Sequence, residues 1–185
     1  NTANIGLENT DITTNERGAI VVNDTCESSV PGVYAVGDVN GGPQFTYISL
    51  DDFRIVFGAL TGNGQYTLKD RKNIPYTTFL TPPLARVGLT EEDAINKGYT
   101  VKTKEMLVAT MPRAHVNDYL KGAFKIVVDA ETNLILGATL YSQSAEELIN
   151  LIKMAMDNNI PYTYFKNQIF THPTMAENLN DLCNF

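Results

Sequence analysis

Ala123-Phe-Lys-Ile-Val-Val128, then Asp129-Ala-Glu-Thr-Asn133, then Leu134-Ile-Leu-Gly-Ala-Thr-Leu-Tyr141 is the stretch that decides the fold class. Two runs rich in apolar and β-branched residues flank a five-residue polar loop, a pattern that predicts a β-hairpin. A helix is predicted directly after it, from Ser144 to Asn158. Ser144 and Glu147 have the spacing of a capping box, and Leu148, Leu151, Ile152 and Ala155 fall on one helical face. Asn158-Asn159 and Pro161 stop it. A hairpin feeding an amphipathic helix predicts an α+β domain, an antiparallel sheet with packed helices, over residues 74–185.

Working outward, Tyr76 to Leu80 and Ala85 to Val87 read as strand pieces around Thr81-Pro-Pro83. Thr90-Glu-Glu-Asp93 opens a short helix, with Thr90 as cap, acids suited to the dipole and Gly98 as the stop. Val101 to Thr110 has strand-like apolar positions. The polar stretch from Thr67 to Asn73 is taken as a boundary, giving residues 1–70 as one piece and 71–185 as the α+β domain. Within it, Lys69-Asp-Arg-Lys72 reads as solvated surface. Upstream, Gly18 to Asn23 is predicted as a strand and Val33 to Val36 as a buried strand. A helix is predicted within Ile48 to Leu60, broken by Gly62-Asn-Gly64.

The chain has 185 residues, 43% of them apolar and 19% charged, enough to bury a core without disulfide staples. A net charge of -7 with no basic stripe argues against nucleic-acid binding. No apolar run approaches the roughly 20 residues that cross a bilayer, so no membrane partner is expected. Cys26 and Cys183 form neither a CxxC nor a metal-ligand cluster, and no metal site is expected. Two isolated thiols fit a cytoplasmic setting. The start at Asn1, inside an apparent loop, is expected to mark a piece of a longer protein.

Two motifs have the composition of sites. In Pro31-Gly-Val-Tyr-Ala-Val-Gly-Asp38, an apolar run delivers Asp38 to its end, and Gly37 permits close backbone approach. A carboxylate there suits the hydroxyls of a sugar-like chain, although a plain Gly-Asp turn explains the same residues. In Thr171-His-Pro-Thr-Met-Ala-Glu177, Pro173 holds His172 on an extended approach to a helix. Glu177 then stands close enough to orient the imidazole for proton transfer. Thr174 and Glu177 also fit a capping box, so dyad and cap stand as competing readings. His115 lacks a carboxylate orienter and is expected to be a surface or structural residue, Met154 and Met156 to be packing.

Together these motifs resemble the class I pyridine nucleotide-disulfide oxidoreductases, which include glutathione reductase, dihydrolipoamide dehydrogenase and mercuric reductase. The segment ending at Asp38 resembles the family's second FAD-contact motif, and the His172 segment its C-terminal active-site motif. Phe79-Leu-Thr-Pro-Pro-Leu-Ala-Arg-Val-Gly-Leu-Thr-Glu91 is similar to the entry into its dimerisation domain. Gly42-Pro-Gln-Phe-Thr-Tyr-Ile-Ser-Leu-Asp-Asp52 and Gln168-Ile-Phe-Thr-His-Pro-Thr174 resemble the bacterial branch tied to reactive-chlorine and hypothiocyanite defence.

The resemblance implies a C-terminal dimerisation domain preceded by an incomplete FAD-binding segment. It implies an enzyme passing electrons from NAD(P)H through FAD and a cysteine pair to a disulfide, hypothiocyanous acid or a metal ion. Asp38 with Gly37 would contact the FAD ribityl chain, and Phe45, Thr46 and Tyr47 would lie along the flavin. His172 and Glu177 would form an acid/base dyad serving the other subunit of a homodimer. Pro83 departs from the Glu that many relatives carry there. The redox cysteine pair, the GxGxxG fingerprint and the nicotinamide domain are not in these 185 residues. The piece alone is therefore expected to be inactive and to hold no cofactor. The competing expectation is a non-catalytic dimerisation module that kept the fold.

Overall fold

The five strands that follow residue 75 pair in the order β1-β2-β5-β4-β3, each antiparallel to its neighbours. They are β1 (Tyr76–Thr78), β2 (Leu84–Gly88), β3 (Val101–Leu107), β4 (Ala123–Asp129) and β5 (Ile135–Tyr141). The computed structural model describes residues 1–185. It divides into two compact units, Asn1–Lys72 and Asn73–Phe185.

In the second unit the hairpin predicted from sequence is β4–β5. Asp129 closes its loop by accepting from the Glu131 N–H and the Thr132 hydroxyl, and Asn133 supplies the positive φ the turn needs. Cross-strand rows Ala85–Leu140–Phe124 and Val87–Ala138–Ile126 line one face of the sheet with buried apolar side chains. Two helices pack on that sheet: α4 (Ala145–Asp157) against β2 and β5, and α6 (Asn178–Leu182) against β3 and β4. Each fully buried Phe, Leu or Ile there contributes about 1.5–3 kcal/mol of hydrophobic stabilisation, so the core of this unit rests on these rows.

The short helix α2 (Glu91–Asn96) has the cap read from sequence: Thr90 Oγ1 accepts from the Asp93 N–H, and Asp93 reaches back to Thr90. Helix α4 does not. Ser144 sits in the left-handed region at φ 64, and its side chain makes no cap. Its carbonyl instead accepts the N–H groups of Glu147 and Leu148. The helix turns Ile149 inward with Leu148, Ile152 and Ala155, whereas Leu151 is 38% exposed. Met156 packs on the core, but Met154 is exposed. Two further short helices, α3 (Pro112–Val116) and α5 (Tyr162–Asn167), have no counterpart in the sequence reading. Val101 to Thr110 is strand only to Leu107 and then a 3-10 turn.

The first unit is mostly loop around one helix, α1 (Thr46–Thr61). The predicted strands at 18–23 and 33–36 form only isolated bridges, Thr14↔Ile20 and Glu27↔Tyr34. Side chains of Asn15 and Asn23 capture the N–H groups of Ala19 and Glu27, which competes with a continuing ladder. Val33 and Val36 are exposed, so the run is not a buried strand. The apolar core of this unit is small: Ile20, Cys26, Ala35, Ile48 and Ile55. A buried charge cluster supplements it. Asp52 is fully buried and ion-paired with Arg71, whose side chain is 10% exposed and whose Nε donates to Asp51 at 2.8 Å. The expectation that residues 69–72 are all solvated surface is therefore wrong for Arg71. That contact lies within the first unit, which runs from Asn1 to Lys72.

Candidate functional site

The His172 motif lies on the approach to α6, and the fold holds it from both sides. Leu179 and Leu182 of α6 are fully buried in the core. Lys104 of β3 donates to the carbonyls of Asp181 and Asn184, at 2.8 and 2.5 Å, and so ties down the far end of the helix. Asn180 donates to the carbonyls of Phe165 and Gln168, at 2.7 and 2.9 Å, fastening the loop that precedes the motif. The chain between these anchors has little freedom left.

There His172 Nδ1 lies 2.7 Å from Glu177 Oε2. A carboxylate oxygen only accepts, so Nδ1–H donates and Nε2 carries the lone pair whenever the ring is neutral. Glu177 uses its other oxygen to accept the Thr174 N–H at 3.1 Å, and the Thr174 hydroxyl accepts the Glu177 N–H at 3.2 Å. The bond to His172 and the reciprocal bonds with Thr174, alternatives in the sequence reading, form together because the carboxylate has an oxygen for each. Glu177 directly precedes α6 rather than lying in its first turn. The His172 side chain is 69% exposed and that of Glu177 18%. The pair is thus an oriented imidazole presented to the outside on a fixed carboxylate.

His115 is exposed, with Nε2 2.8 Å from the Ala109 carbonyl and no carboxylate partner. No three His, Cys, Asp or Glu side chains gather closely enough to hold a metal ion. Neither cysteine is activated. Burial pushes the Cys183 thiol up to about 12; burial, then the Asp52 carboxylate, pushes that of Cys26 up to about 11.

In the first unit, Gly37 opens a 3-10 turn, Gly37–Asn40, at φ +72, a conformation that favours glycine. A Cβ there would also stand 2.6 Å from Ser49 Oγ of α1. Asp38 is exposed on this turn. The Phe45 and Tyr47 rings stack at 5.1 Å where α1 begins, with Thr46 exposed between them. No acidic residue occupies the first turn of α1, the positive end of the helix.

The sequence reading missed what holds this turn. Asp52 Oδ2 accepts the Gly37 N–H at 2.7 Å and the Asn40 side-chain amide at 2.9 Å, while Oδ1 pairs with Arg71. A signal was available. Ile48, Asp52 and Ile55 follow helical spacing and share the buried face, and a carboxylate on such a face requires partners.

Comparison with known proteins bears on both units. Residues 74–183 match the model of the pyridine nucleotide-disulphide oxidoreductase dimerisation domain, and residues 1–52 match a second pyridine nucleotide-disulphide oxidoreductase model. The chain is 49% identical over 181 residues to the probable pyridine nucleotide-disulfide oxidoreductase RclA of Escherichia coli K12, covering 98% of this chain and 41% of that protein. It is 34% identical to a mercuric reductase of Staphylococcus aureus, over 97% of this chain and 32% of that protein. A solved structure, the HOCl-induced flavoprotein disulfide reductase RclA from Escherichia coli, superimposes with a TM-score of 0.95 at 48% identity, covering 99% of this chain and 42% of that one. The chain thus spans about two-fifths or less of the length of these relatives. It belongs to the pyridine nucleotide-disulphide oxidoreductase family, and residues 74–183 are a dimerisation domain of that family.

Proposed function

We propose that these residues serve an FAD-dependent oxidoreductase in which electrons pass from NAD(P)H through the flavin and a cysteine pair to an oxidised substrate. The substrate classes are a disulfide, hypothiocyanous acid or a metal ion, and the setting is the cytoplasm. Residues 71–185 contribute the homodimer contact, and His172 with Glu177 contributes the acid/base function to the partner subunit's active site. The observation that carries this reading is the oriented, exposed imidazole of His172 on a carboxylate fixed by Thr174.

The chemistry of that pair follows from its geometry. His172 Nε2 makes no hydrogen bond within the chain, so it is available to take a proton from a thiol and return it to a leaving thiolate. Glu177 keeps the ring in the tautomer whose lone pair is on Nε2. Proton transfer of this kind is worth about 10²–10⁴-fold in rate.

The first unit fits a flavin contact. Asp38 is an exposed acceptor on an anchored turn, suited to hydroxyls of the ribityl chain. Phe45 and Tyr47 offer apolar ring faces, and Thr46 offers a hydroxyl, at the positive end of α1. When bound, FAD supplies the electron-carrying step between nicotinamide and sulfur. These 185 residues alone are proposed to hold FAD poorly and to lack turnover.

The test uses the full-length enzyme. His172→Ala lowers turnover of the oxidised substrate by about 10²–10⁴-fold while flavin content stays at parent level. Unchanged turnover across the pH range would reject the dyad.

A further inference from the structure

We infer that Asp52, held by Arg71, is the positioning residue for the flavin-contact turn: its buried carboxylate fixes the Gly37–Asn40 backbone and thereby aims Asp38. This rests on the reading of Asp38 as a contact to the FAD ribityl chain.

The placement of the carboxylate carries the argument. One oxygen gathers two donors from the turn itself, the Gly37 N–H at its first residue and the Asn40 amide at its last. Asp38 lies between those two points, so both ends of the four-residue turn hang from a single atom. The other oxygen is occupied by the Arg71 guanidinium, which also reaches Asp51 through Nε. Tyr66 donates to the same Asp51 oxygen at 3.3 Å. Asp52 is fully buried and the Arg71 side chain nearly so, hence the carboxylate cannot swing away from the turn. Ser49, one helical turn before Asp52, backs onto Gly37 and leaves no room for a side chain there. Helix α1 therefore carries the Phe45–Tyr47 end and the anchor of the Asp38 turn on one rigid body.

A purely structural account would have the ion pair contribute only to folding. The two accounts separate when charge is removed without leaving a lone buried ion. Replacing a buried ion pair by packed apolar residues restores stability in other proteins, but it cannot restore the hydrogen bonds to Gly37 and Asn40.

The experiment titrates FAD into the full-length apoenzyme carrying Asp52→Leu, Asp52→Leu with Arg71→Met, Asp38→Asn, or Asp38→Asn with Asp52→Leu. FAD affinity is expected to fall about 10- to 100-fold in both variants that change Asp52 alone or with Arg71, the size found when a partner that orients a metal ligand is lost. The apolar pair is expected to regain part of the melting temperature but none of the affinity. Asp38→Asn is expected to cost several-fold less in the Asp52→Leu background than on its own, because a mis-aimed carboxylate has less to lose. Recovery of affinity together with melting temperature in the apolar pair would reduce Asp52 to a structural role and overturn the inference. Additive losses for Asp38 and Asp52 would overturn it as well. If Asp38→Asn binds FAD as the parent does, the underlying reading of Asp38 fails. If Asp38→Asn is weakened while the Asp52 variants are not, that reading stands and only the positioning role falls.

Discussion

Lys69 and Arg71 stand two residues apart in one basic stretch, and the structure assigns them very different weights. Arg71→Met leaves the Asp52 carboxylate fully buried without its cation. Stranding one member of a buried ion pair costs about 3–5 kcal/mol. The low end applies here, because Asp52 keeps two neutral donors, from Gly37 and Asn40. At about 4–8 °C per kcal/mol for a unit of this size, roughly 3 kcal/mol lowers the melting of residues 1–72 by about 12–24 °C. Arg71→Lys keeps the charge but cannot span Asp51 and Asp52 with one ammonium, so an intermediate loss is expected. Lys69 pairs with Asp24 at side-chain exposures of 78% and 46%, and Lys69→Met should leave the midpoint where it is. Urea unfolding with hydrogen exchange resolved on α1 and on Gly37 measures all three. Equal effects at Lys69 and Arg71, or a loss below about 1 kcal/mol for Arg71→Met, would refute the claim that Arg71 holds a buried charge.

Three further outcomes follow from the geometry. Gly137→Ala places a Cβ 2.7 Å from the Leu89 backbone nitrogen, where nothing can rotate away; overpacking of about 1–3 kcal/mol outweighs the fraction of a kcal/mol gained from the stiffer unfolded chain, and thermal melting should show a net loss. The Cys26 and Cys183 thiols, pushed up by burial, stay protonated near pH 8, so a thiol reagent should label neither in the native chain and both in denaturant. Asp129 is held below its ordinary value by the Thr132 hydroxyl and then the Glu131 N–H; its contribution is present above about pH 4 and fades as pH falls through the lowered value, so Asp129→Asn should flatten the acid limb of a stability–pH curve.

What could be read in advance was local. The β4–β5 hairpin and the Thr90–Asp93 cap depend on residues within a few positions of one another, and both form as the sequence suggests. The strands expected at 18–23 and 33–36 required partner strands that sequence periodicity does not reveal, and polar Asn side chains took the backbone donors instead. Ser144 had the right neighbour for a capping box but the wrong backbone, since it takes a left-handed conformation in which its side chain makes no cap. The pairing of His172 with Glu177 was legible because both lie in one short segment. Asp52 and Arg71 are 19 residues apart, and only the fold reveals that one neutralises the other.

Arg71 also bears on where this chain can be divided. A cut after Asp70 looks natural from composition, because the residues there are polar and surface-like. It would remove the only cation in contact with Asp52 and leave an unneutralised carboxylate beneath the turn that carries Asp38. Arg71 thus belongs with the first unit by charge as well as by compactness. Exchange of this unit between relatives should carry Arg71 along with it.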